Sequence, residues 1–93
     1  VKFALVSSPE LYDEEGVLAM EYLSKICPVG STVLIDEDDL QTKGSYDRMV
    51  GLVMCNGKII NENMLKSGHG EIYTRHCKTS EFADSSWAKY FGC

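Results

Sequence analysis

The dipeptide Asn56-Gly57 constrains this chain more than any other feature. Asn and Gly tolerate the positive φ angles that a two-residue hairpin demands at both central positions. Before it runs the apolar segment 48–54 (RMVGLVM) and after it Lys58-Ile59-Ile60, so the sequence predicts a strand over 48–54 that turns back into a short second one. A lone hairpin is marginal in water and needs a further strand or a helix across its face. Two segments answer that need. Residues 31–36 (STVLID) are rich in β-formers and run into the acidic turn Glu37-Asp38-Asp39, read as a solvated loop. Residues 1–6 (VKFALV) form an apolar strand stopped by Ser7-Ser8-Pro9. A strand that is apolar throughout wants neighbours on both sides, which raises the expectation that further strands precede it.

Helices fill the intervals. Asp13 is placed to cap a helix whose first turn carries Glu14 and Glu15, where the helix dipole favours negative charge. Ala19, Met20, Leu23, Ile26 and Cys27 share one face of it, expected to be core, and Pro28 with Gly30 ends it. Asn61 reads as the cap of a second helix through Met64 and Leu65, ending at Ser67-Gly68. Residues 40–47 are a polar loop and 70–74 a short extended segment. Ser80-Glu81 and Asp84-Ser85 look like two helix starts, with Trp87 and Phe91 as core residues of the closing region.

The chain has 93 residues, 44% hydrophobic and 25% charged, which excludes disordered and fibrous classes. No apolar run approaches the ~20 residues of a membrane-spanning helix. A net charge of −5 speaks at first against a polyanionic partner. The distribution reverses that reading: residues 1–39 hold nine acids and two bases, residues 40–93 seven bases and five acids. A phosphate-facing surface is expected mainly in the second half.

Cys27, Cys55, Cys77 and Cys93 permit two disulfides without demanding them. Cys27 reads most simply as a small apolar residue at a helix end. A Cys77 to Cys93 staple requires two short helices between them, because one straight helix would hold the ends ~20 Å apart. Cys77, Cys93, His69 and His76 are the alternative set for zinc, at spacings that match no zinc pattern. His69 after Gly68, and His76 beside Cys77, read as surface residues.

Four pieces in order resemble the thermonuclease (staphylococcal nuclease-like) family, in particular its shorter archaeal-type members. They are Val6-Ser7-Ser8-Pro9-Glu10 at the end of a strand, Cys27-Pro28-Val29-Gly30 ending a helix, Tyr46-Asp47-Arg48 opening a strand, and Asn56-Gly57-Lys58-Ile59-Ile60-Asn61-Glu62 as hairpin and helix start. The resemblance implies a mainly β, α+β fold: an OB-fold-type five-stranded barrel with about three helices, a single domain over residues 1–93, incomplete at its N-terminus. It implies hydrolysis of DNA or RNA phosphodiesters with Ca2+, in which a carboxylate directs a water, the cation polarises the phosphate and guanidinium groups neutralise the developing charge.

By resemblance, Glu10 takes the general-base position, Arg48 that of one phosphate-clamping arginine, and Lys2 that of the other. Lysine keeps the charge but loses the planar two-pronged grip. Tyr46, Tyr73 and Lys43 fall where substrate is bound. Ser7 stands where the family places a calcium-binding aspartate, and its neutral hydroxyl has little affinity for a hard cation. Weak or absent cleavage is therefore expected. The alternative function is an OB-type module that binds single-stranded nucleic acid, or a protein, without cutting it. The open sheet edge suggests a strand-swapped dimer or completion by an N-terminal segment. Family resemblance and even cysteine number lean towards an extracytoplasmic setting.

Overall fold

The computed structural model describes residues 2–9, 12–41 and 49–93. In chain order the elements are β1 (Lys2–Phe3), β2 (Val6–Ser7), α1 (Glu14–Ile26), β3 (Val33–Glu37), β4 (Val50–Cys55), β5 (Lys58–Ile59), α2 (Ile60–Lys66) and β6 (Glu71–Ile72). Two 3-10 turns, Thr74–His76 and Glu81–Asp84, and then α3 (Ser86–Phe91) close the chain.

The sequence expects one strand over residues 1–6, and the structure contains two. β1 runs parallel to β4, with Lys2 opposite Val50, whereas β2 runs antiparallel to β6, with Val6 opposite Ile72. The change of partner happens at Ala4-Leu5. Leu5 takes φ +64°, a left-handed conformation that costs a non-glycine residue about 1–2 kcal/mol. Burial of its side chain to 2% exposure is the offsetting gain, and its carbonyl accepts the Tyr73 amide at 2.8 Å. Hydropathy marks the residues as apolar but carries no sign of such a corner.

β4 is the hub. β3 pairs along one edge of it from Val33–Cys55 to Glu37–Gly51, while β1 and β5 share the other edge, at opposite ends. Asn56 and Gly57 take φ +52° and +76°, so the expected tight hairpin forms between β4 and β5.

The gap between β1 and β5 is filled by a side chain. Asn61 is fully buried; its Oδ1 accepts the Val53 amide at 2.9 Å, and its Nδ2 donates to Ala4 at 3.0 Å and to Gly51 at 3.1 Å. This corrects the reading of Asn61 as a helix cap: α2 starts one residue earlier, and Asn61 replaces the backbone that a continuous neighbouring strand would have supplied. Gly70 lets β6 approach β2, since a Cβ there would lie 2.8 Å from Val6 Cγ1.

One core joins these parts. Ala4, Leu5 and Val6 meet Val50 and Val53 of β4, Ile60, Met64 and Leu65 of α2, and Phe82, Trp87 and Ala88 of the closing region. Phe91 is only partly buried against it. α1 contributes Ala19, with Leu23 and Ile26 half-buried, but Met20 is 44% exposed, so the expected apolar face of α1 is covered only in part.

The acidic turn also departs from expectation. Asp38 is fully buried and accepts the Ser80 hydroxyl at 2.5 Å and the amides of Leu40 and Glu81 at 3.1 Å each. It ties the end of β3 to the cap of the Glu81–Asp84 turn, where Ser80 Oγ in turn accepts the Phe82 amide. Two disulfides complete the frame. Cys27, read as a small apolar residue, is bonded to Cys55 and so joins the end of α1 to the end of β4. Cys77 is bonded to Cys93 across the two short helical segments that this staple requires.

The described residues thus form an α+β fold, with two sheets and three α-helices among them. The sheets do not close into the expected five-stranded barrel: among the described residues, β3 ends one sheet, and β2 and β6 form a separate pair.

Candidate functional site

The corner at Ala4-Leu5 decides where the expected site residues go. Lys2, before the corner, projects from β1 so that its Nζ lies 5.4 Å from the centre of the Tyr73 ring, within reach of a cation–π attraction. Tyr73 follows β6 directly and is fixed by the bond from its amide to Leu5. Ser7, beyond the corner, opens instead onto a groove of about 550 Å3 whose walls include Pro9, Glu15, Leu18, His69 and Glu71. The structure therefore brings Lys2 and Tyr73 together and sends Ser7 to a different concavity. Glu10, Lys43, Tyr46 and Arg48 lie outside the described residues.

The two concavities differ in charge. Glu15 and Glu71 border the larger groove, which makes it a poor seat for a phosphate backbone. Around Tyr73 the described side chains include two cations, Lys2 and Arg75. Arg75 places a guanidinium nitrogen 3.5 Å from the Tyr73 hydroxyl, at the outer limit of a hydrogen bond, and the His76 ring packs on Tyr73 at 4.6 Å between centroids, tilted by 40°. Lys2, Gln41, Val50, Tyr73 and His76 border a crevice of about 10 Å3. That is room for one water at most, so any larger ligand lies on the surface of the cluster.

His76 is held below its ordinary pKa, first by burial and then by the charges of Lys2 and Arg75, with Asp38 acting in the opposite sense. Its neutral form is thereby favoured. The sequence reading dismissed His76 as a surface residue and did not single out Arg75. The signal available was their position directly behind Tyr73, in the basic half of the chain.

His69, also read as a surface residue, is half-buried and stacks on Tyr22 of α1 at 4.9 Å. The zinc alternative falls, because Cys77 and Cys93 are bonded to each other.

Residues 1–88 match the family of staphylococcal nuclease homologues. The chain belongs to that family. It is also 39% identical, over 84 residues, to an uncharacterized 38.1 kDa protein of Capnoides sempervirens, an alignment covering 88% of this chain and 22% of that protein. The chain thus spans less than a quarter of the length of that relative.

Family membership brings calcium into question, and the described residues do not fit it. Among them no three His, Cys, Asp or Glu side chains come together, and Ser7, where the family's aspartate is expected, is an exposed hydroxyl on a strand paired to Glu71. A hard divalent cation takes 6–8 oxygen ligands with carboxylates among them. No catalytic step through calcium follows from these residues.

Proposed function

We propose that this nuclease-family domain binds the sugar-phosphate backbone of single-stranded DNA or RNA across the Lys2–Tyr73–Arg75 face, and cleaves it weakly or not at all. The observation that carries this reading is the Lys2 ammonium over the Tyr73 ring with the Arg75 guanidinium at its hydroxyl, two cations around one half-buried aromatic. Such a pairing suits an unpaired strand, whose phosphates meet the cations while a sugar or base rests on the ring. A duplex presents its bases stacked inward and offers the ring nothing. The acidic borders of the larger groove support the same choice of face.

Hydrolysis is the finer part of the proposal, and it depends on Glu10 as general base and Arg48 as phosphate clamp. With Lys2 in place of a forked guanidinium and Ser7 in place of a carboxylate, slow turnover at best is the expectation.

Fluorescence anisotropy with a short 5′-labelled oligonucleotide tests the binding. Affinity should be higher for the single strand than for its duplex, and should fall with salt. Lys2→Ala and Arg75→Ala should each flatten the log–log salt slope by about 0.7, the value of one lost phosphate contact on a single strand. Absence of binding at low salt sinks the proposal. Incubation with denatured DNA, with calcium or a chelator, tests cleavage in parallel. Vigorous calcium-dependent cutting that Glu10→Gln abolishes would replace the binding assignment with an enzymatic one.

A further inference from the structure

Three cationic or protonatable groups surround Tyr73, and the reading above uses only two of them. The third is His76. Its ring is in contact with the Tyr73 ring at 4.6 Å, it borders the same crevice as Lys2, and it sits next to Arg75 on the turn Thr74–His76. That turn has little freedom to move. The His76 amide donates to Tyr73 at 3.1 Å, its carbonyl accepts the amides of Thr79 and Ser80, and Cys77 is tied to Cys93.

We propose that His76 is a further phosphate-binding residue, the imidazole becoming the third positive charge of the Lys2–Arg75 cluster when a phosphodiester occupies it. This rests on the function proposed above and makes it more specific: strand binding takes up a proton.

The physical case is electrostatic. The described charges that act on the imidazole come from three elements: Lys2 from β1, Arg75 from its own turn, and Asp38 from the turn after β3. Burial and the two cations outweigh the carboxylate, so the free protein keeps His76 neutral. Asp38 is already committed to Ser80, Leu40 and Glu81. A phosphate placed among Lys2, Arg75 and His76 adds a negative charge that offsets the two cations. The cost of protonation then falls, and the imidazolium gains an anion as partner. By linkage, whatever raises the proton affinity of His76 on binding must tighten binding as pH falls through the His76 range.

The test is the anisotropy assay repeated from pH 8 to pH 5.5 on the wild-type protein, on His76→Gln and on His69→Gln. The last controls for the second histidine of the chain. The wild type and His69→Gln should gain about tenfold in affinity over this range, equivalent to one pKa unit of upward shift on binding. His76→Gln should lose that gain, its affinity varying by less than about twofold between pH 8 and pH 5.5. Independently, the NMR titration midpoint of the His76 ring should move up on adding inorganic phosphate.

A His76→Gln profile that matches the wild type, or a midpoint unmoved by phosphate, overturns the inference and leaves the binding assignment standing. Failure of the wild type to bind at any pH removes both. A circular dichroism melt of each variant identifies any loss that comes from misfolding.

Discussion

β3 and β4 both carry runs of apolar β-formers and meet opposite fates. In β4, Val50, Gly51, Val53 and Cys55 are buried; in β3, Val33, Leu34 and Ile35 are 40%, 63% and 43% exposed. Both were expected to be strands and both are. What separates them is the number of neighbours. β4 has β3 on one edge and β1, Asn61 and β5 on the other, with α2 packed against it, whereas β3 has β4 alone among the described residues. Apolar sequence selects a strand, but position in the sheet decides how much of its surface leaves water, and so how much stability it returns.

The sharpest way to break this comparison is to remove what makes β4 central. Asn61→Ala should destabilise by about 3–5 kcal/mol in urea unfolding, because it strands the Val53 amide and the Ala4 carbonyl in the interior at ~1–3 kcal/mol for each unpaired group, while the Gly51 carbonyl keeps the Ala4 amide. Against the ~5–15 kcal/mol total of a small domain, that is enough to leave part of the population unfolded. A loss below about 1 kcal/mol would mean that water replaces the amide, and that β4 is less enclosed than its burial implies.

Reduction of the Cys27–Cys55 bond is the next largest expected effect. It releases a loop spanning 28 residues, for which chain-entropy estimates give about 3.5 kcal/mol. Unfolding with and without a reductant, in a Cys77→Ser/Cys93→Ser background, measures it at the β4 end of the molecule.

Asp38→Ala attacks the buried tie at the end of β3 and should cost about 2–3 kcal/mol, since it unpairs the Ser80 hydroxyl and the amides of Leu40 and Glu81. The paired substitutions Val53→Ala and Leu34→Ala then address the strands themselves. Val53, at 7% exposure, should cost about 2 kcal/mol, and Leu34 less than about 0.5 kcal/mol. Equal losses would show that β3 is covered in solution, by self-association or by another segment. Sedimentation at rising protein concentration distinguishes those two.

Much of the chain was legible one segment at a time. Asn56-Gly57 specified its hairpin because positive φ is a local property, and Ser80 and Ser85 marked real starts of the Glu81–Asp84 turn and of α3. Pro28 and Gly30 ended α1 within two residues of the expected position. Asn61 and Asp38 were misread for one shared reason. A polar side chain near an element end satisfies local rules as a cap or as a solvated turn. Whether it is buried depends on partners 42 or 57 residues away, such as Ser80 for Asp38 and Ala4 for Asn61.

The candidate site was legible in the same uneven way. Resemblance selected Lys2 and Tyr73, which do meet, and charge asymmetry pointed to the half of the chain that holds Arg75 and His76. The separation of Ser7 from them was hidden, because it follows from the left-handed turn at Leu5.

Residues close together, or a pattern of residue types, were enough to reveal the family, the helices, the strands beyond residue 7, the tight hairpin and the feasibility of the Cys77–Cys93 bond. Long-range packing was needed to reveal that residues 2–7 serve two sheets, that Asn61 stands in for a strand, that Cys27 finds Cys55, and that Lys2, Arg75 and His76 gather around one tyrosine. Those outcomes depend on which distant groups must be paired once water is excluded, and no local pattern encodes that pairing.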